Sequence, residues 1–265
     1  MSQPARLIVL PQSPWSERAR WALDHHGLAY RLSVHVPFLG ERRLRRVLGN
    51  PPGRATVPIL LVGGEVLSSS WEIARYADRV GRAERLIPDE LEPKVRHWDA
   101  LAERAMSAAR PLTIKRLLDS DAALDETLPP PVPRRLRSML RPVARFGTEW
   151  FARKYALDLA DTGAARAALE VGLQALRSAL GGSDYVLSRF SYADVIMATL
   201  LHGVSPVADR YVPLGPATRA AWTQPELAAA YADLIAWRDR LYERHRPPTT
   251  ALPSRSAAAA AADPH

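Results

Sequence analysis

Along the first third of the chain, apolar residues come in short runs punctuated by glycine and proline. Residues 5–10, which hold the run Leu7-Ile8-Val9-Leu10, read as a buried parallel strand that breaks at Pro11. Residues 15–26 then set Ala19, Ala22 and Leu23 on one face of a helix that Gly27 ends. Ala29 to Val36 reads as a second strand, which makes this segment a right-handed β-α-β crossover. A short basic helix over 41–48 is stopped by Gly49, Asn50, Pro51 and Pro52. Pro58 to Val62 and Glu65 to Leu67 are predicted strands separated only by Gly63-Gly64, a pair that supplies the positive φ angles of a two-residue hairpin turn. Ser69 and Glu72 have capping-box spacing, so a helix is predicted from near Ser70 to Val80.

Beyond a linker at about 81–89 the strand signals vanish, and helical patterns continue through residue 243. Ser191 and Asp194 form an S-x-x-D cap beside Phe190, read as structural. The last helix is predicted to open with Thr223 and Glu226 and to carry Leu227, Leu234, Ile235 and Leu241. A proline-rich loop, Thr127 to Pro133, precedes a stretch carrying Arg134, Arg135, Arg137, Arg141, Arg145, Arg153 and Lys154. The expected organisation is an α/β domain over 1–80, an all-α domain over 90–245, and a disordered tail over 246–265 that includes a six-alanine run.

At 265 residues and 47% apolar, the chain can bury two modest cores. It has no run of 18 or more apolar residues, and its first residues lack the long apolar region of a secretory leader, so a soluble cytoplasmic protein is expected. The absence of cysteine excludes disulfides, thiolate metal sites and mixed disulfides on the protein itself. None of the histidines shows metal-ligand spacing, so no metal is expected. The net charge of +8 suits anionic ligands, membranes or nucleic acid. It reads as a solvated arginine surface, and no membrane or nucleic-acid partner is expected, since nothing resembles an RNA-binding aromatic signature or a DNA-reading motif.

The junction after the first strand carries the clearest candidate chemistry. A buried strand that re-enters a helix through small hydroxyl residues sets side chains and backbone N–H groups at one corner, where a small anion or thiol can be held. Ser13 and Ser16 are the hydroxyls there, and either one also suits a plain helix cap.

Three segments resemble the glutathione S-transferase family: SPWSERAR (13–20), ATVPILLVGGEVLSSSWEIARYAD (55–78) and FSYADV (190–195). The resemblance implies a thioredoxin-like N-terminal domain joined to an all-α domain, and a homodimer. It places Ser13 where glutaredoxins and omega-like transferases carry their cysteine, with Ser16 as the second choice and Trp15 lining the corner. Val57-Pro58 matches the family's cis-proline position, whose backbone pairs with the cysteine part of glutathione. Ser69 and Ser70 match an acid-serine pair that holds the γ-glutamyl group, with the acid replaced here by Ser69. Asp99 or Glu103 is a candidate substitute for that carboxylate. An electrophile pocket between the domains is implied around Trp98, Met106 and Arg110. The implied activity is conjugation of glutathione, as co-substrate, to a small apolar electrophile. The alternative is a non-catalytic ligand carrier or scaffold.

Overall fold

The run after Ala5 forms strand β1 (Arg6–Val9), and the chain then turns through Pro11 and Ser13 into helix α1 (Pro14–His25). Proline suits the first helical position, where its missing N–H has no intrahelical acceptor to lose. Strand β2 (Tyr30–Val34), helix α2 (Glu41–Val47), strands β3 (Ile59–Val62) and β4 (Glu65–Leu67) and helix α3 (Ser70–Val80) follow in the predicted order. Gly63 and Gly64 take φ values of 57° and 86°, as the two-residue hairpin requires. This computed structural model describes residues 5–129 and 132–252. It divides into two units, Met1–Asp89 with His245–His265, and Glu90–Arg244.

In the first unit the sheet order is β4-β3-β1-β2-β5, with β1 parallel to β2 and antiparallel to β3. Strand alternation sends Ile8 to one face, where it packs with Leu44 of α2 and with Ala55 and Ile59. Leu7 and Val9 point to the other face and are fully buried, as are Ala19, Ala22, Ile73 and Ala77 of the mutually packed α1 and α3. The segment expected as a linker is anchored: Asp78 accepts hydrogen bonds from the Leu86 and Ile87 N–H groups, at 2.9 and 2.7 Å, and pairs with His26 at 2.8 Å.

Residues 246–252 correct the expectation of a disordered tail beginning at 246. Strand β5 (Ala251–Leu252) adds to the sheet in parallel beside Tyr30 and Arg31 of β2. The Arg246 guanidinium donates to Glu17 at 2.7 Å and to Asp24 at 2.9 Å, and the Thr250 N–H donates to Asp24 at 2.7 Å. Glu17 and Asp24 are buried carboxylates on α1, and a buried charge needs a partner that shares its burial. The remainder of the predicted tail, 253–265, lies outside the described residues.

The second unit contains helices α4 (Glu92–Leu118), α5 (Asp121–Thr127), α6 (Arg134–Lys154), α7 (Thr162–Leu180), α8 (Tyr192–Leu200), α9 (Pro216–Trp222), α10 (Pro225–Ala230) and α11 (Ala232–His245). Every residue of α8 is buried, and α4 packs on α7 and α8. The close approach is set by Gly172, where a Cβ would stand 3.1 Å from both Ala105 and Leu200. Helix α8 starts at the predicted capping box: the Ser191 N–H donates to Asp194 at 2.8 Å, and the Val186 N–H donates to the same carboxylate at 2.7 Å. The single last helix predicted from Thr223 is instead two, α10 and α11, interrupted at Tyr231. Thr223 ends α9, and its hydroxyl donates back to the Arg219 carbonyl at 2.9 Å.

Candidate functional site

The strand registers bring three segments to one end of the sheet. Ile8 of β1 pairs with Ile59 of β3, and the strands are antiparallel, so Val57-Pro58 at the start of β3 lies beside the exit of β1 toward Ser13. Strand β4 pairs antiparallel with β3 through Leu60 and Leu67, so its exit into Ser68, Ser69 and Ser70 comes to the same end. The predicted residues of this unit therefore share one edge of the sheet. The Val57-Pro58 bond is cis.

At this edge Ser13 and Ser16 differ in kind. Ser13 is the N-cap of α1 with extended backbone angles, and its hydroxyl makes no capping hydrogen bond. Its N–H donates to the Leu10 carbonyl at 2.9 Å, and its carbonyl receives the Glu17 N–H at 3.0 Å, so the residue is fixed by its backbone alone. Ser16 is fully buried, and its hydroxyl accepts the Leu10 N–H at 3.2 Å. That bond satisfies the last amide of the strand turn, and it commits Ser16 to structure. Trp15 is partly exposed in the first turn. Glu17, in the same turn, lies buried between Arg20 and Arg246, so its negative charge is compensated close to the helix start.

At the neighbouring corner, the Ser69 hydroxyl caps α3 by accepting the Glu72 N–H at 3.1 Å, as its spacing predicts. The Glu72 carboxylate reaches back to the Ser68 N–H, at 2.7 Å, one residue earlier than the standard capping box. Ser70 is buried in the first turn of α3, at the positive end of the helix. No carboxylate stands at position 69, and the nearest in sequence, Glu72, is taken by its cap.

The remaining predicted residues belong to the helical unit. Trp98 and Met106 of α4 are buried, and the Arg110 guanidinium lies 4.4 Å over the Tyr155 ring. Asp99 and Glu103 share that helix, and Glu103 accepts from the Ser107 hydroxyl at 3.2 Å. Among the described residues no group of three or more His, Asp or Glu side chains is placed to hold a metal ion. Sequence reasoning missed the Glu17-Arg246-Asp24 cluster that braces α1. Its only signal was two acids seven residues apart, and so on one face of a helix.

The family model for the glutathione S-transferase N-terminal domain matches residues 12–80. A probable glutathione S-transferase of Zea mays is 33% identical over 101 residues, which are 34% of this chain and 42% of that relative, so the match spans under half of the relative's length. Among solved structures, a glutathione S-transferase from Rhodospirillum rubrum F11 superposes with a TM-score of 0.59 at 17% identity, over 91% of this chain and 88% of the other. One from Methylobacillus flagellatus KT, solved with glutathione bound, gives 0.57 at 18% identity over 92% of this chain and 100% of the other. Residues 12–80 thus match the glutathione S-transferase N-terminal domain, and the chain shares the fold of the solved glutathione S-transferases.

Proposed function

We propose that the N-terminal unit binds glutathione at the sheet edge around Ser13 and that the chain is a serine-type glutathione transferase. One observation carries the reading: Ser13 sits at the N-cap of α1 with its hydroxyl outside the cap, while the rival Ser16 is consumed by Leu10. A hydroxyl there donates a hydrogen bond to a thiolate sulfur, and the helix end adds favourable potential. Lowering a thiol pKa by one unit needs about 1.4 kcal/mol, so one charge-assisted bond with the helix end supplies about two units. The thiol proton leaves to water. The thiolate then attacks an apolar electrophile, forming a carbon–sulfur bond as the leaving group departs with the electron pair.

In this reading Val57 and Pro58 pair through their backbone with the cysteinyl part, Trp15 lines the corner, and Ser70 with the α3 N-terminus holds the γ-glutamyl carboxylate. The bound glutathione of the Methylobacillus structure, on the same fold, supports the choice of thiol. By the same resemblance the electrophile meets Trp98, Met106 and Arg110, and the enzyme works as a cytoplasmic homodimer in detoxification.

The absence of a carboxylate at Ser69 favours a second reading, a carrier that binds the thiol without turnover. Calorimetric titration with glutathione, followed by turnover with 1-chloro-2,4-dinitrobenzene, decides between them. Binding with conjugation is the expected result. Binding without conjugation selects the carrier, and no binding overturns both.

A further inference from the structure

Helix α6 is docked the wrong way round for a surface helix. Leu136, Met139, Leu140, Val143 and Phe146 recur at helical spacing and form one stripe, yet they are between 37% and 75% exposed. The arginines instead face the protein. Arg141 forms a fork with Asp125, at 2.9 and 2.8 Å, and reaches Asp121 at 2.7 Å. Arg137 donates to the Asp125 carbonyl at 3.0 Å, and Arg145 donates to the Leu118 carbonyl at 3.0 Å. The acids of α5 thus compensate the inward arginines, and the outer face keeps its own cations.

Those cations border the stripe. Arg135 and Arg153 are five helical turns apart and so lie along one flank. The Arg153 guanidinium sits 5.6 Å over the Phe146 ring, and the Lys154 ammonium sits 5.3 Å over the Trp150 ring. Glu149 is the one carboxylate within α6. An apolar stripe edged by cations and aromatic rings matches the boundary between acyl chains and anionic headgroups.

We infer that α6 docks, by its outer face, on an anionic phospholipid surface. No described helix is apolar enough to cross a membrane, so the contact lies in the plane of the interface. Charge disfavours a second copy as occupant. Antiparallel pairing of α6 helices sets Arg134 and Arg135 against Arg153 and Lys154, and parallel pairing sets each cation against its own kind. A nucleic acid would use the cations and leave the stripe in water. This contact departs from the sequence expectation of no membrane partner, because composition averages over the two faces of the helix.

The test is co-sedimentation of the full chain with vesicles of phosphatidylcholine and phosphatidylserine, and with vesicles of phosphatidylcholine alone. Binding to the anionic vesicles is expected to exceed binding to the neutral ones by about tenfold or more, given roughly a fivefold gain per basic residue near the surface. The double variant Met139→Glu/Val143→Glu should lose about tenfold or more in partition, and Arg135→Gln/Arg153→Gln about 25-fold at roughly fivefold per charge. These positions are exposed, so the helical circular dichroism of both variants should match the parent. Absent binding to anionic vesicles, or equal binding by the Met139→Glu/Val143→Glu variant, overturns the inference. So does a parent dimer that this variant splits in sedimentation velocity, which would assign the face to a second copy.

Discussion

Replacing Arg246 with methionine tests whether residues 246–252 are part of the α/β unit. The Arg246 side chain is 4% exposed, and its partner carboxylates, Glu17 and Asp24, are 0% exposed. Removing one member of a buried ion pair costs about 3–5 kcal/mol, because the orphaned charge stays desolvated. Glu17 keeps Arg20, and Asp24 keeps the Thr250 N–H, which puts the loss at the lower end, about 3 kcal/mol. In a chain of this size that is a fall in Tm of about 6–12 °C. Scanning calorimetry reads it, and Asp24→Asn completes a double-mutant cycle. In the double variant the neutral amide no longer needs a cation, so the two losses should fall short of adding by about 1 kcal/mol or more. A Tm within about 2 °C of the parent, or strictly additive losses, would refute the claim that this cluster braces α1.

Ser16→Ala should lower stability by about 1 kcal/mol, the worth of one buried hydrogen bond, and leave glutathione affinity unchanged by calorimetry; a large affinity loss would mean that Ser16 contacts the ligand. Ser69→Asp keeps an N-cap acceptor for the Glu72 N–H while restoring a carboxylate, so glutathione should bind more tightly at equal Tm, and no gain would argue for a thiol without a free amine. Burial raises the Asp194 pKa from 3.8 to about 6 against the pull of the Val186 and Ser191 N–H groups. The folded state therefore holds that proton more tightly than the unfolded chain, and this contribution is full below about pH 4 and lost as pH rises through about 6. Denaturant melts should show stability falling by up to about 3 kcal/mol across that window, a slope that Asp194→Asn should lack.

The first unit was legible where local chemistry decides. Gly63-Gly64 fixes the hairpin, Ser69 starts α3, and the apolar run after Ala5 makes β1. What the residues alone left open depends on partners far away in sequence. Arg246 meets Glu17 and Asp24 across 229 and 222 positions, so in isolation it reads as one more solvated arginine before an alanine-rich end. Ser13 and Ser16 are equivalent hydroxyls in one turn until the path of β1 hands the Leu10 N–H to Ser16. The break between α10 and α11 falls at Tyr231, with no glycine or proline there to announce it. For α6, the sequence shows a run of arginines, but only the acids of α5 decide which of them turn inward.

The most direct test of the central claim is intact-mass spectrometry of two single-cysteine variants, Ser13→Cys and Ser16→Cys, after incubation with oxidised glutathione. The parent has no cysteine, so any added mass reports the introduced thiol alone. A thiolate attacks the disulfide, one glutathionyl group joins the protein, and reduced glutathione leaves. At the N-cap of α1 a cysteine thiol should have a lowered pKa and react quickly, whereas at the fully buried position 16 it should react slowly. Rapid modification of Ser13→Cys with an inert Ser16→Cys is the predicted result. Rapid modification of Ser16→Cys with an inert Ser13→Cys would contradict the account and move the thiol site one turn into the helix.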